Sequence, residues 1–140
     1  MKKIILISCV KTKLDKKTEA EFLYTSDLFK SSLKYAKQQN PDYIFILSAK
    51  YGLLKLSDEI EPYEKTLNNL RKNERIKWAK SVIEKLKNLT NLEKDEFIFL
   101  VGKKYREFLI PELINIKIPM KDLGFGKQLQ WLKKNTENEK

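Results

Sequence analysis

The chain has no histidine, which removes the side chain most often used for acid–base catalysis near neutral pH and for metal binding. Its single cysteine, Cys9, excludes an internal disulfide and leaves a zinc site without its usual ligands. A Walker-type loop and a complete dinucleotide fingerprint are also missing from the sequence. We therefore predict no metal site and no bound cofactor.

Arginine is scarce, with only Arg71, Arg75 and Arg106, so the net charge of +10 comes almost entirely from lysine. A basic balance is compatible with nucleic acid, whose phosphates attract positive charge without regard to base sequence. Arginine is the favoured residue for bidentate contacts to phosphates and bases, and its scarcity counts against an extensive surface for reading duplex DNA. A lysine-rich composition from an A/T-rich genome would give the same charge.

Length and composition predict one globular domain. The 140 residues are 41% hydrophobic and 34% charged, in the range of ordinary soluble domains. We place the domain at residues 1–132 and expect residues 133–140, which have no apolar side chain, to fray. The first apolar run is too short for a signal peptide and is followed by Lys11 and Lys13, which favours a cytoplasmic protein with no membrane partner. The oligomeric state is left open.

Strands alternate with helices along the chain, a pattern typical of a parallel sheet with right-handed crossovers. The predicted strands are Lys3–Ser8, Tyr43–Ser48, Glu96–Val101 and Ile114–Ile118. The predicted helices are Ser26–Gln39, Arg71–Leu89, Lys103–Leu109 and one that begins near Gly126. We expect a single-domain, three-layer α/β sandwich with a mainly parallel four-stranded sheet in the order 2-1-3-4. The segment from Ala49 to about Asn69 contains no predicted element and should pack on the domain as a lid or wall.

Glycine and lysine follow the predicted strands closely. The loops at the carboxyl ends of parallel strands share one edge of the sheet, where ligands of such folds bind. Glycine lets backbone N–H groups approach a ligand, and lysine supplies mobile positive charge. We therefore predict a site for a phosphate or another anion on this edge. Its candidate residues are Ser8, Lys11, Lys13, Ser48, Lys50, Tyr51, Gly52, Gly102, Tyr105, Gly124, Gly126 and Lys127. The alternative is that the lysines are ordinary solvated side chains.

Glu61 and Cys9 are the candidate catalytic residues. In a chain without histidine, a carboxylate is the natural general base, or the group that stabilises a sugar cation. Glu61 precedes Pro62, which would restrict its backbone, although an exposed loop acid would look the same. Cys9 is either a nucleophile with a pKa lowered by nearby lysines or a small buried apolar side chain. Tyr24 and Tyr63 could stack on a base or simply pack in the core.

Several of these segments together resemble a small family of uncharacterised bacterial and phage domains, itself similar to the peroxide-stress protein YaaA. They are Ile7–Lys13, Leu23–Phe29, Leu47–Leu53, Ile60–Tyr63 and Gly124–Leu132. The resemblance implies a shared fold and an association with DNA binding and protection from oxidative damage, but it brings no settled reaction. The chain is much shorter than a YaaA protein, and no segment matches that family's separate helical DNA-binding insertion.

Two functional hypotheses follow. In the first, the domain binds a nucleotide or an exposed base and acts at an N-glycosidic bond, with phosphate held by lysines and Glu61 near the sugar. In the second, it is a non-catalytic protein that binds DNA in a stress response or in phage–host conflict. The first requires one focused pocket, and the second requires a broad basic face.

Overall fold

The computed structural model describes residues 1–8 and 15–136 and contains a five-stranded sheet in the order β4-β3-β1-β6-β7. These strands are β1 (Lys3–Ser8), β3 (Tyr43–Ser48), β4 (Gly52–Lys55), β6 (Glu96–Leu100) and β7 (Asn115–Lys117). The strands β3, β1, β6 and β7 are parallel and lie in the predicted order. The protein therefore has the predicted α/β class with a mainly parallel sheet.

The prediction of four strands was wrong, because β4 adds a fifth at the edge of the sheet, antiparallel to β3. The chain reverses between the two strands at 49–51, and Gly52 then has a φ of +76°, which favours glycine. Leu53 and Leu54 of β4 are buried. Two apolar residues after a turn without an Asn-Gly or Asp-Gly signal are too weak a local pattern to predict a strand.

A second, two-stranded sheet pairs β2 (Thr18–Glu19) antiparallel with β5 (Glu59–Ile60). The short helix α1 (Ala20–Leu23) follows β2 directly. It is tied to the long segment after β3, because the N–H of Ala20 donates to the carbonyl of Asp58 at 2.7 Å. The segment predicted to be irregular thus contains β4 and β5, and it packs on the domain as expected.

The predicted helices lie close to their expected positions, although α4 ends at Arg106 rather than at Leu109. They are α2 (Asp27–Gln38), α3 (Lys72–Leu89), α4 (Lys103–Arg106) and α5 (Phe125–Thr136), with single 3-10 turns at Leu67–Asn69 and Ile110–Glu112. Ser26 caps α2, because its hydroxyl accepts from the N–H of Phe29 at 3.2 Å. Helix α5 continues to Thr136, four residues beyond the predicted end of the domain, and Thr136 is buried there.

The core is centred on β1, whose residues Ile4 to Ile7 have no exposed surface. Such a continuous apolar run is typical of a central parallel strand covered on both faces. Helices α2 and α5 pack against each other, and α3 packs beside β4. The three-layer arrangement stays a prediction. Within the described residues, no helix is both long and apolar enough to span a membrane.

Candidate functional site

The carboxyl ends of β1, β3 and β6 form one edge of the sheet, which we call the carboxyl edge. The register pairs Ser8 with Leu47 and Ile7 with Leu100, so the three strands end side by side. The candidate residue Ser48 therefore lies on the strand next to Ser8, one residue further along. The turns that follow β3 and β6 begin at this edge and carry Lys50 and Gly102.

A buried network of hydroxyl groups lies at the end of β3. Ser48, with no exposed surface, donates from its hydroxyl to the Tyr63 hydroxyl at 2.7 Å. The Tyr63 and Tyr24 hydroxyls share a hydrogen bond of 2.6 Å. The Ser48 Oγ also accepts from the N–H of Tyr51 at 3.1 Å. The network thus joins three segments that are distant in the sequence.

The rings of Tyr24 and Tyr63 are packed into the protein, with exposed fractions of 1% and 8%. The Tyr24 ring lies 4.9 Å from the ring of Phe29, and the Tyr63 ring lies 5.5 Å from that of Tyr51, centroid to centroid. Their polar ends meet in the hydroxyl network while their apolar faces contact other side chains. Stacking of either ring on a base stays a prediction.

Tyr51 holds the backbone of Glu61. Its hydroxyl oxygen lies 3.3 Å from the Glu61 carbonyl oxygen, to which it donates, and 3.3 Å from the Glu61 nitrogen, from which it accepts. The Lys50 ammonium lies 5.2 Å from the centre of the Tyr51 ring, within the range of a cation–π contact. Lys50 and Glu61 are both exposed. Tyr51 therefore contacts both the backbone of Glu61 and the ammonium group of Lys50.

The turn after β6 contains one exposed candidate residue, Gly102, and one buried candidate residue, Tyr105. Gly102 is the exposed N-cap residue of α4, and Lys103 and Lys104 after it are exposed too. Tyr105 is buried, and its hydroxyl accepts from the N–H of Leu67 at 3.4 Å. Tyr105 thus supports the segment before α3, while Gly102 remains open to solvent.

The start of α5 is the other glycine-rich turn. Gly124, Gly126 and Lys127 are exposed, and the Gly124 carbonyl accepts from the N–H of Gln128 at 2.9 Å. A Cβ atom built on either glycine would meet no other heavy atom of the described chain within 4 Å. Open space therefore surrounds both glycines at this helix start, a type of position where proteins bind anions.

The predicted residues Cys9, Lys11 and Lys13 lie outside the described residues. One contributor to the edge was not predicted as such. Trp78 of α3 donates from its indole N–H to the Ser48 carbonyl at 2.8 Å. A buried tryptophan on an amphipathic helix signals that its N–H must find an acceptor, but the sequence does not say which one.

A family profile described as a family of unknown function (DUF6884) matches residues 4–134. The chain belongs to this family. It is also similar to a UPF0246 protein from Crocosphaera subtropica, with 32% identity over 124 residues that cover 74% of this chain and 47% of the relative. The chain thus spans about half the length of the curated relative that it matches. These matches confirm the predicted relation to the YaaA-type proteins.

Proposed function

We propose that the carboxyl edge binds a nucleotide, free or within a nucleic acid, and that Glu61 acts at its N-glycosidic bond. The observation that carries this proposal is the contact of Tyr51 with both backbone polar groups of Glu61, next to Lys50. A carboxylate near a sugar must be held in place, and a phosphate on the same ligand needs a cation close by.

The phosphate ligands in this proposal come from two turns and one segment outside the described residues. Lys50 follows β3, and Lys127 lies in the first turn of α5, where the helix dipole and open N–H groups add to its charge. Lys11 and Lys13, which follow β1 in the sequence, complete the set. Lysine can follow a phosphate over several ångströms because its charge lies at the end of a flexible stem.

The reaction in this proposal breaks the bond between C1′ of the sugar and the ring nitrogen of the base. The base leaves with the electron pair of that bond, and positive charge develops on the sugar. The Glu61 carboxylate stabilises this charge, water adds to C1′, and the proton that the water loses ends on the ring nitrogen of the departed base. Such a step needs no metal, cofactor or imidazole.

The test measures binding and base release separately, with purine and pyrimidine nucleoside 5′-monophosphates and a short single-stranded oligonucleotide as probes. We expect Lys50→Ala to weaken binding at least tenfold, since a hydrogen bond to a charged group contributes about 1.5–3 kcal/mol. We expect Glu61→Gln to leave binding within about threefold and to abolish release of free base, because the amide keeps the shape but loses the charge.

Matched controls lie at the opposite end of β6. Lys94→Ala and Glu93→Gln remove the same charges from exposed positions just before that strand, and both should behave as wild type. The assignment is wrong if Lys50→Ala and Glu61→Gln match these controls in both measurements while thermal unfolding shows a folded protein.

A second candidate function is binding of DNA without catalysis. The net charge of +10 favours it, as do the exposed lysines Lys50, Lys103 and Lys104 at or after the ends of β3 and β6 and the exposed Lys127 in α5. Here affinity for single-stranded, duplex and branched DNA should fall linearly with salt on logarithmic axes, because phosphate contacts release counterions. A flat salt dependence would exclude this candidate, and salt-dependent binding of every DNA form without base release would favour it over the first.

A further inference from the structure

An open groove of about 1080 Å³ runs along α2, away from the contact between Tyr51 and Glu61. Its lining follows α2, which is roughly 18 Å long, and continues past the two helix ends to Thr25 and Asn40. The segment that precedes α2 forms the other wall and contributes Glu21 and Phe22. The volume exceeds the roughly 300–1,000 Å³ of ordinary small-molecule sites, so the groove suits an elongated ligand.

The groove combines a row of cations with an apolar surface. Lys30, Lys34 and Lys37 line it at spacings of four and three residues, which places them on one face of α2. Phe22 is 56% exposed, and Leu33 is partly exposed beside it in the lining. A partner would gain by burying this apolar surface and would need negative charge to match the lysines.

The sole acidic side chain among the described lining residues is Glu21, whose carboxylate pairs with the Lys37 ammonium. This pair connects the two walls of the groove. An acidic partner that reached Lys37 would have to replace Glu21, so Glu21 acts as an internal competitor for an anion.

The exposure of the aromatic rings in the groove favours an acidic peptide over single-stranded nucleic acid as the ligand. Single-stranded nucleic acid binds on successive rings whose faces are open for stacking. Phe29 and Tyr24 line this groove but are each only 1% exposed, which leaves Phe22 as the ring with an open face among the described lining residues. A peptide does not need successive open aromatic rings, because its acidic and apolar side chains can alternate along an extended backbone.

We infer that this groove binds an acidic peptide segment that carries large apolar side chains. An extended segment of about seven residues would match the groove's length. Its carboxylates pair with Lys30 and Lys37, and its apolar side chains lie against Phe22 and Leu33. The lining shares Tyr24 with the candidate base-stacking residues but includes neither Glu61 nor the proposed phosphate ligands, so this inference does not depend on the proposed nucleotide site.

The experiment is an NMR titration of the uniformly ¹⁵N-labelled full chain with an acetylated heptapeptide of five glutamates and two leucines, the leucines third and fifth. In an extended chain, both leucines project on one side. Matched probes replace the glutamates with lysine, replace the leucines with serine, or use a seven-nucleotide oligothymidylate. We expect the acidic peptide with leucine to shift the amides of Phe22, Lys30 and Leu33, and each matched probe to bind at least fivefold more weakly.

Variants test the individual contacts. Lys30→Glu and Phe22→Ala should each weaken peptide binding at least threefold, while Glu21→Gln should strengthen it by up to about fivefold, the range of an exposed ion pair. The controls Lys80→Glu and Ile114→Ala change an exposed lysine of α3 and an apolar residue that is 69% exposed, and neither should matter.

Three results would overturn the inference. They are shifts confined to residues outside the groove, equal losses in Lys30→Glu and Lys80→Glu, and oligothymidylate binding in the groove as tightly as the acidic peptide. The last result would mark the groove as a nucleic-acid surface instead. Nucleotide affinity is also measured in Lys30→Glu. We expect it to be unchanged, because the nucleotide is proposed to bind at the carboxyl edge and not in the groove.

Discussion

The hydroxyl oxygens of Tyr24 and Tyr63 lie 2.6 Å apart, and the Ser48 hydroxyl donates to Tyr63 at 2.7 Å. All three residues are buried, at exposures of 1%, 8% and 0%. Buried hydroxyls that satisfy one another hold their segments together, and the loss of one removes a hydrogen-bond partner from the others. This network fixes the end of β3 to the segment before α2 and to the segment before α3.

Tyr63→Phe should destabilise the protein by about 1–3 kcal/mol, because it removes one hydroxyl and leaves the Ser48 and Tyr24 hydroxyls without that partner. Urea unfolding followed by circular dichroism measures the change. The control Tyr43→Phe, at the start of β3, should cost less. A double-mutant cycle of Tyr24→Phe with Tyr63→Phe should give a coupling energy above about 0.5 kcal/mol, and strict additivity would contradict the network.

Two glycine substitutions should act in opposite directions. Gly52 has a φ of +76°, so Gly52→Ala should cost about 1–2 kcal/mol through backbone strain. The new Cβ would meet Ser81 and Val82 only at ordinary contact distances of 3.8 and 3.9 Å, so steric overlap adds little. Gly126→Ala, within α5, should instead stabilise the protein by about 0.5–1 kcal/mol. The same unfolding assay checks both signs, and destabilisation in both variants would refute the account.

Asp95 should contribute stability that depends on pH. Burial alone would raise the pKa of Asp95, but the N–H groups of Asn91 and Lys2 donate to its oxygens at 2.8 and 2.9 Å. These bonds and the nearby positive charge of Lys2 hold the pKa below its ordinary value. The contribution is therefore fully present above the unfolded pKa of about 3.9 and is lost as the pH falls through the lower, folded pKa.

Asp95→Asn should accordingly destabilise the protein by about 1.5–3 kcal/mol at pH 7, and the difference from wild type should shrink as the pH falls below about 4. Unfolding measured across this range tests both the size and the sign. Glu93→Gln, at an exposed neighbouring position, is the control. If the difference in unfolding free energy between wild type and Asp95→Asn stays constant down to pH 2, the charge of Asp95 is not the source of the stability.

Tyr51→Phe should separate the positioning of Glu61 from folding. The variant loses the two 3.3 Å contacts to the Glu61 backbone at the surface, so stability should change by less than about 1 kcal/mol. If Glu61 acts on a bound nucleotide, base release should fall while nucleotide affinity, measured by calorimetry, stays within about threefold. Unchanged release would remove Tyr51 from the proposed site without affecting the role of Lys50.

The parallel part of the sheet could be predicted from the sequence because its strands are encoded locally. Continuous apolar runs define Lys3–Ser8 and Tyr43–Ser48 with the bounds that the structure has. The alternation of strands with helices predicted a parallel sheet, and the expected order of the parallel strands is also confirmed. Strand β4 and the pair of β2 with β5 could not be predicted, because these strands are two to four residues long and depend on partners that the local sequence does not indicate.

In the candidate site, too, individual residues could be predicted from the local sequence, whereas their tertiary contacts could not. Tyr51 and Glu61 were each predicted as candidates from their positions after a strand and before a proline. Their mutual contact depends on how the segment between them folds back, which no spacing rule specifies. The hydrogen bond from Trp78 to Ser48 is a tertiary contact of the same kind. The sequence could therefore propose candidate residues for the edge, but it indicated neither Trp78 nor which side chains contact each other.

The hydrogen bond from the Trp78 indole to the Ser48 carbonyl makes the intrinsic fluorescence of Trp78 sensitive to changes at the carboxyl edge. Trp78 is 8% exposed, and its ring centre lies 5.8 Å from that of Tyr105. The chain has one other tryptophan, Trp131, so Trp131→Phe would leave a single emitter beside the end of β3. A ligand that displaces Ser48 would shift the emission wavelength, which allows compounds to be screened by fluorescence without a label.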